Sequence, residues 1–100
     1  MTQEVALVAR FRAAPGRRDE LVEACRGAVA SAAGEEGTLE YRLHTDASDP
    51  DTVVFYERYR DQGAFDAHKD SEALATFMGS IGSLLGGKPV LTFLSPVTEA

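Results

Sequence analysis

The sequence predicts an α+β domain in the order strand, helix, strand, strand, two-part helix, strand. Three observations predict it. The run Val53 to His68 reads as a strand that stops at Asp61 and turns straight into a helix. Leu21, Val22, Cys25, Ala28, Val29 and Ala32 recur as one apolar stripe at helical spacing. The remaining apolar residues fall in short runs with strand periodicity, divided by turn-forming residues.

Glu4 to Ala13 is the first predicted strand, with Val5, Leu7 and Phe11 on one face and Ala6, Val8, Arg10 and Arg12 on the other. Ala14-Pro15-Gly16 stops it. The helix over Arg17–Ala33 has Asp19 and Glu20 in its first turn, where its dipole favours them, and Gly34 as the expected C-terminal cap. Gly37 to Thr45 is the second strand, with Leu39, Tyr41 and Leu43 opposite Glu40, Arg42 and His44. Asp46 to Asp51 reads as a loop by composition. The central strand, Thr52 to Arg60, is apolar at both parities, so it calls for cover on both sides. Its far end puts Glu57 and Tyr59 on one face.

Asp61 is an expected N-cap for a short helix through Lys69, and Ser71 for a second that runs to Gly86-Gly87. Leu74, Phe77, Met78, Ile81, Leu84 and Leu85 form the stripe of the second. Val90 to Val97 is the last strand, again apolar at both parities. This order is a split β-α-β arrangement of the ferredoxin-like type, with helices on one face of a four-stranded sheet. The other face is expected to show several Val, Leu and Phe side chains. If it hides about 600 Å² of apolar surface, the gain is on the order of 15 kcal/mol before association costs. A homodimer packed sheet on sheet is the simplest cover.

One hundred residues make one domain, 1–100, with a thin core. The apolar share of 44% excludes disorder as the main state. A formal charge of -6 argues against nucleic acid and against an anionic membrane surface. No apolar run approaches membrane-spanning length, and the N-terminus has no signal-peptide pattern. Cys25 is the single cysteine, which fits a reducing compartment, so the cytoplasm is the expected location.

His68 is the leading candidate for a general base, since imidazole is the usual acid–base group near neutral pH; the plain alternative is a structural histidine on a backbone carbonyl. Glu57 in a buried strand must be paired or protonated. It either orients a substrate hydroxyl or pairs with Arg58, Arg42 or an arginine across the dimer. Tyr59 and Tyr41 are pocket donors or core aromatics. Phe65, Phe77 and Met78 are core residues or the wall of a cavity between helix and sheet. No metal is expected: His44, His68, Glu57 and Asp66 lack the tight spacing of a metal site. Cys25 is expected to be inert packing. The glycines at 79, 82, 86 and 87 form no phosphate loop.

The run Phe55-Tyr56-Glu57-Arg58-Tyr59-Arg60-Asp61, followed by Ala64, Ala67-His68, Ser71 and Phe77, resembles the antibiotic biosynthesis monooxygenase family. Pro15-Gly16, the segment Gly37 to Tyr41 and Ser48-Asp49-Pro50 are similar to it too. The likeness covers nearly the whole chain. It implies a dimeric α+β barrel and oxidation of a small dihydroxy-aromatic (quinol or anthrone-like) substrate by O2 without a cofactor. Isomerases of small oxo or phosphorylated sugar compounds and non-catalytic ligand-binding dimers are the alternatives. Two departures narrow the likeness. Ala73 stands where relatives often carry a second histidine, and the chain has no tryptophan, on which the haem-degrading branch relies.

On that reading the site must deprotonate a phenol. Ordinary values of about 10 for phenol and about 6.5 for imidazole make the transfer uphill by roughly 5 kcal/mol. Arg42, Tyr59 or backbone N–H groups are the expected donors to the phenolate, in a dry hollow beside His68.

Overall fold

A computed structural model describes residues 3–98. The elements are β1 (Val5–Arg12), α1 (Arg18–Ala32), β2 (Thr38–Asp46), β3 (Asp49–Tyr59), α2 (Gln62–Lys69), α3 (Glu72–Ile81), a 3-10 turn at Gly82–Leu84 and β4 (Val90–Leu94). The four strands form one antiparallel sheet in the order β2-β3-β1-β4. This is the expected ferredoxin-like α+β fold.

Gly16 reverses the chain after β1 with a φ of 77°, a left-handed conformation that glycine adopts without a Cβ penalty. α1 then buries Leu21, Cys25 and Ala32 against the sheet. Its C-cap is Ala33 in the right-handed region, and Gly34 follows as a turn residue rather than the cap. The expected loop from Asp46 to Asp51 shrinks to the two residues Ala47 and Ser48, because Asp46 and Asp49 pair across the hairpin. Aspartate side chains close it: Asp46 Oδ1 accepts the Ser48 N–H at 2.8 Å, and Asp49 Oδ2 accepts the Thr52 hydroxyl at 2.9 Å.

Asp61 and Ser71 are the N-caps of α2 and α3, accepting the N–H groups of Ala64 at 2.9 Å and Leu74 at 3.1 Å. α3 ends at Ile81, earlier than its apolar stripe suggests. The chain is drawn onto the end of β1 instead: Ala14 N–H donates to Leu84 O and Gly86 N–H to Arg12 O, both at 2.8 Å. A continuing helix would have used those groups internally. β4 stops at Leu94, before Pro96, so Val97 lies beyond it.

The core lies between the helices and one sheet face. Leu7, Ala9 and Phe11 of β1 and Val53, Phe55, Glu57 and Tyr59 of β3 point there and are buried. The rings of Phe11, Phe55 and Phe77 pack edge to face, with centroids 5.7 to 6.2 Å apart. The opposite face is more charged than expected. By register it carries Ala6, Val8, Val54 and Tyr56, ringed by ion pairs. Arg58 binds Glu40 at 2.7 Å and Glu4 at 2.8 Å, and Arg10 approaches Asp46 at 3.7 Å. The exposed apolar surface is concentrated on β4 instead. Val90, Leu91, Phe93 and Leu94 are all exposed there, on both faces of the edge strand. Among the described residues, no helix is long and apolar enough to cross a membrane.

Candidate functional site

β3 delivers the first two groups. Glu57 sits mid-sheet with Leu7 of β1 on one side and Tyr41 of β2 on the other. Two residues on, on the same face, Tyr59 turns its hydroxyl back and donates to Glu57 Oε1 at 2.5 Å. Asp61 then starts α2, and its last turn carries His68 down to the same spot. His68 is 7% exposed. Its ring lies between two phenols, with centroids 5.1 Å from Tyr41 and 5.2 Å from Tyr59. The Phe65 ring stands 5.4 Å from Tyr59 on the outer side and 5.5 Å from Phe93 of β4.

The fourth group is Glu35, which the sequence reading did not single out. It comes from the turn between α1 and β2. His68 Nδ1 lies 2.8 Å from its Oε1 and 3.2 Å from its Oε2. Thr38 Oγ1 also donates to Oε1, at 2.8 Å. A carboxylate only accepts, so this hydrogen-bond network assigns the hydrogen to Nδ1 and leaves Nε2 as the ring's acceptor. Nε2 has no protein partner among the described residues. Every fully enclosed side-chain nitrogen or oxygen there does have one, so Nε2 keeps contact with solvent. The backbone-carbonyl alternative for His68 is therefore replaced by a carboxylate partner. The signal that could have found Glu35 is chemical rather than periodic: a helix imidazole turned inward needs a partner, and the turn beside it holds two glutamates.

Burial raises the Glu57 carboxyl above the ordinary range, against the opposing pull of the Tyr59 hydroxyl and of His68. Burial first, and then the hydrogen bond to Glu57, push the Tyr59 phenol up, so Tyr59 stays a neutral donor. Burial raises Tyr41 as well. The Cys25 thiol, fully buried on α1, is pushed up to about 12 by desolvation and is inert at neutral pH.

Three expectations change and a fourth is narrowed. Arg42 is exposed on the opposite sheet face beside Glu40, because its parity on β2 is that of His44, so it cannot meet a group at His68. Glu57 makes no ion pair with Arg58 or Arg42; its partner is Tyr59. Phe77 takes the core role, the first of the two expected for it, packed against Phe11 and Phe55. Met78 is exposed and borders neither hollow described below. The structure thus brings together His68, Glu57, Tyr59, Tyr41 and Phe65, and adds Glu35.

Two hollows border His68. The inner one, about 10 Å³, lies between His68, Glu35, Tyr41, Ser31 and Leu74 and has room for one water. The outer one is an open cleft of about 490 Å³ between the α1–β2 turn and α2. Arg60, Asp61 and Glu36 line it together with Glu35 and His68. Neither of these hollows is a closed, dry cavity of substrate size. Among the described residues no three His, Cys, Asp or Glu side chains are grouped to hold a metal ion.

The profile described as "Antibiotic biosynthesis monooxygenase" matches residues 4–80. The Mycobacterium tuberculosis protein named "Putative monooxygenase Rv0793" is 32% identical over 100 residues, covering 100% of this chain and 98% of the relative. The solved structure of that protein superposes with a TM-score of 0.90 over 98% of this chain and 99% of the other. The structure of PA3566 from Pseudomonas aeruginosa is 30% identical and superposes with a TM-score of 0.89 over 98% of each chain. With its fold and most of its length matched in this way, the chain belongs to the antibiotic biosynthesis monooxygenase family.

Proposed function

We propose that the chain is a cofactor-independent monooxygenase of a small dihydroxy-aromatic compound, with His68 as the proton acceptor. Family membership and the names of its relatives support the reaction class. The observation that carries the residue assignment is the setting of His68, fixed through Nδ1 to Glu35, with Nε2 free of a protein partner among the described residues, on a side chain that lines an open cleft. A substrate hydroxyl within about 3 Å of Nε2 gives up its proton there. The ring anion then supplies electrons to O2; one oxygen atom enters the substrate and the other leaves as water. Arg60, which lines the cleft, replaces Arg42 as the donor to the developing phenolate. Arg60 is held only loosely, 3.9 Å from Glu36 and 3.6 Å from Asp61.

The cleft's charges speak against a phosphorylated substrate. Glu35, Glu36 and Asp61 outnumber the single cation Arg60, whereas a phosphate calls for surplus positive charge. The working unit is a homodimer in the cytoplasm. The five exposed apolar side chains from Val90 to Val97 support the pairing. Four of them are already about half buried, so covering what remains is worth on the order of 5 kcal/mol per chain, at about 1.5–3 kcal/mol for a side chain taken from full exposure to full burial.

The test is O2 uptake by purified protein on a panel of quinols and anthrones, with His68→Ala beside the native chain. Loss of at least about 100-fold in turnover is expected. Unchanged turnover would remove His68 from the mechanism, and conversion of an oxo compound without O2 uptake would mark an isomerase instead.

A further inference from the structure

We propose that Glu35 is a positioning residue for His68, fixing which ring nitrogen carries the hydrogen and which is left to accept one. The inference rests on the reading of His68 as proton acceptor and adds a residue that acts through it.

The α1–β2 turn is built to hold this carboxylate still. Glu35 N–H donates to Ala32 O at 3.0 Å, and Thr38 N–H returns to Glu35 O at 3.3 Å. The Thr38 hydroxyl then pins Oε1 at 2.8 Å. Both carboxylate oxygens face Nδ1, so a flipped ring would set a C–H edge against them. The neighbouring glutamate shows that this placement is particular. Glu36 is almost fully exposed and reaches only Arg60, at 3.9 Å.

The consequence is chemical. Neutral imidazole has two tautomers, and only the one with hydrogen on Nδ1 presents a lone pair at Nε2. Glu35 selects that form before substrate arrives. Once Nε2 has taken a proton, the same carboxylate faces the imidazolium at hydrogen-bond distance. Glu57 also faces it, though burial disfavours charge there, and the rings of Tyr41 and Tyr59 flank it. Arg60 lines the same cleft with the opposite sign.

The experiment compares Glu35→Gln with the native chain by 15N-detected imidazole NMR and by the pH profile of kcat. The chain has 2 histidines, so His68→Ala assigns the spectrum. In the native protein His68 is expected to show hydrogen on Nδ1 alone. In Glu35→Gln the two tautomers should mix. Turnover should drop about 10-fold to 100-fold with KM changed far less. Thr38→Val keeps the carboxylate but frees it, and should give a smaller share of the second tautomer; it also decides the matter if Glu35→Gln does not fold. Glu23→Gln, an exposed acid on α1, is the charge control. A native-like tautomer in both Glu35→Gln and Thr38→Val would overturn the proposal. Absence of turnover on every quinol tested would instead strike the assigned reaction, while the NMR readouts would still decide the role of Glu35.

Discussion

Replacing Gly37 by alanine drives a methyl group into α2 at the point where that helix is set on the sheet. The added Cβ would lie 2.3 Å from Ala64 Cβ and 3.3 Å from Ala64 Cα. Carbons pack at about 3.5–4.0 Å, so the contact must open by about 1.2 Å or more. Gly37 cannot retreat easily, because its carbonyl accepts the Arg60 N–H at 2.9 Å. Its φ is not positive, so the substitution carries no backbone penalty and the clash stands alone. Overpacking of this kind costs about 1–3 kcal/mol, offset by about 0.4–1 kcal/mol from the stiffer unfolded chain. A net loss of about 1–2 kcal/mol lowers Tm by roughly 5–15 °C for a domain of this size. Because α2 carries His68, the same displacement should reduce turnover by up to about 100-fold. Urea unfolding of Gly37→Ala, Ala64→Gly and the double variant isolates the contact. Ala64→Gly alone costs up to about 1 kcal/mol, yet the double variant should recover about 1–2 kcal/mol through coupling. A Gly37→Ala protein as stable as the native one, or a double variant whose losses simply add, would refute the steric argument.

Glu57→Gln should flatten the pH dependence of stability. The folded carboxyl is raised, so between its unfolded value, about 4.3, and its folded one the native state holds the extra proton. Stability from this group is therefore full below that window and is lost as pH rises through the folded value. The amide keeps an acceptor for Tyr59, so urea midpoints across pH 4 to 8 should lose this slope in the variant; an unchanged slope would show that Glu57 does not cause it. Phe93→Asp, on the exposed edge strand, should shift sedimentation from a pair of subunits to one. A native protein that already sediments as one subunit at tens of micromolar would sink the pairing itself.

Most of the fold was legible because it rests on period and punctuation. The α1 stripe, the capping aspartate and serine, and the short apolar runs of β1 and β3 bounded by turn residues each name their own structure. What failed to show has a common physical cause: it depends on contacts between elements. The early end of α3 follows from backbone bonds to β1 that no pattern within residues 71–87 displays. The two-residue hairpin was hidden because Asp46 and Asp49 read as loop formers until their side chains are seen to close the turn. At the site, His68, Glu57 and Tyr59 were visible as chemistry-bearing residues converging on one strand end. Arg42 was misplaced although its parity was read correctly, since the face it occupies is the one turned away from the helices. Glu35 lay in a turn, where nothing periodic marks an inward side chain.

The two exposures of this chain, its cleft and its edge strand, bear on one another. Phenolate chemistry needs a water-poor site, in which hydrogen-bond donors and countercharges act at full strength. One chain offers an open cleft instead. A file of rings joins that cleft to the uncovered strand: His68 touches Tyr59, Tyr59 touches Phe65, and Phe65 touches the half-exposed Phe93, each pair with centroids 5.2 to 5.5 Å apart. A second copy that covers β4 therefore presses on the outer wall of the site itself. On this reading assembly and desolvation are one event, and turnover per chain should fall on dilution in step with dissociation. Turnover that stays constant through dissociation would separate the two.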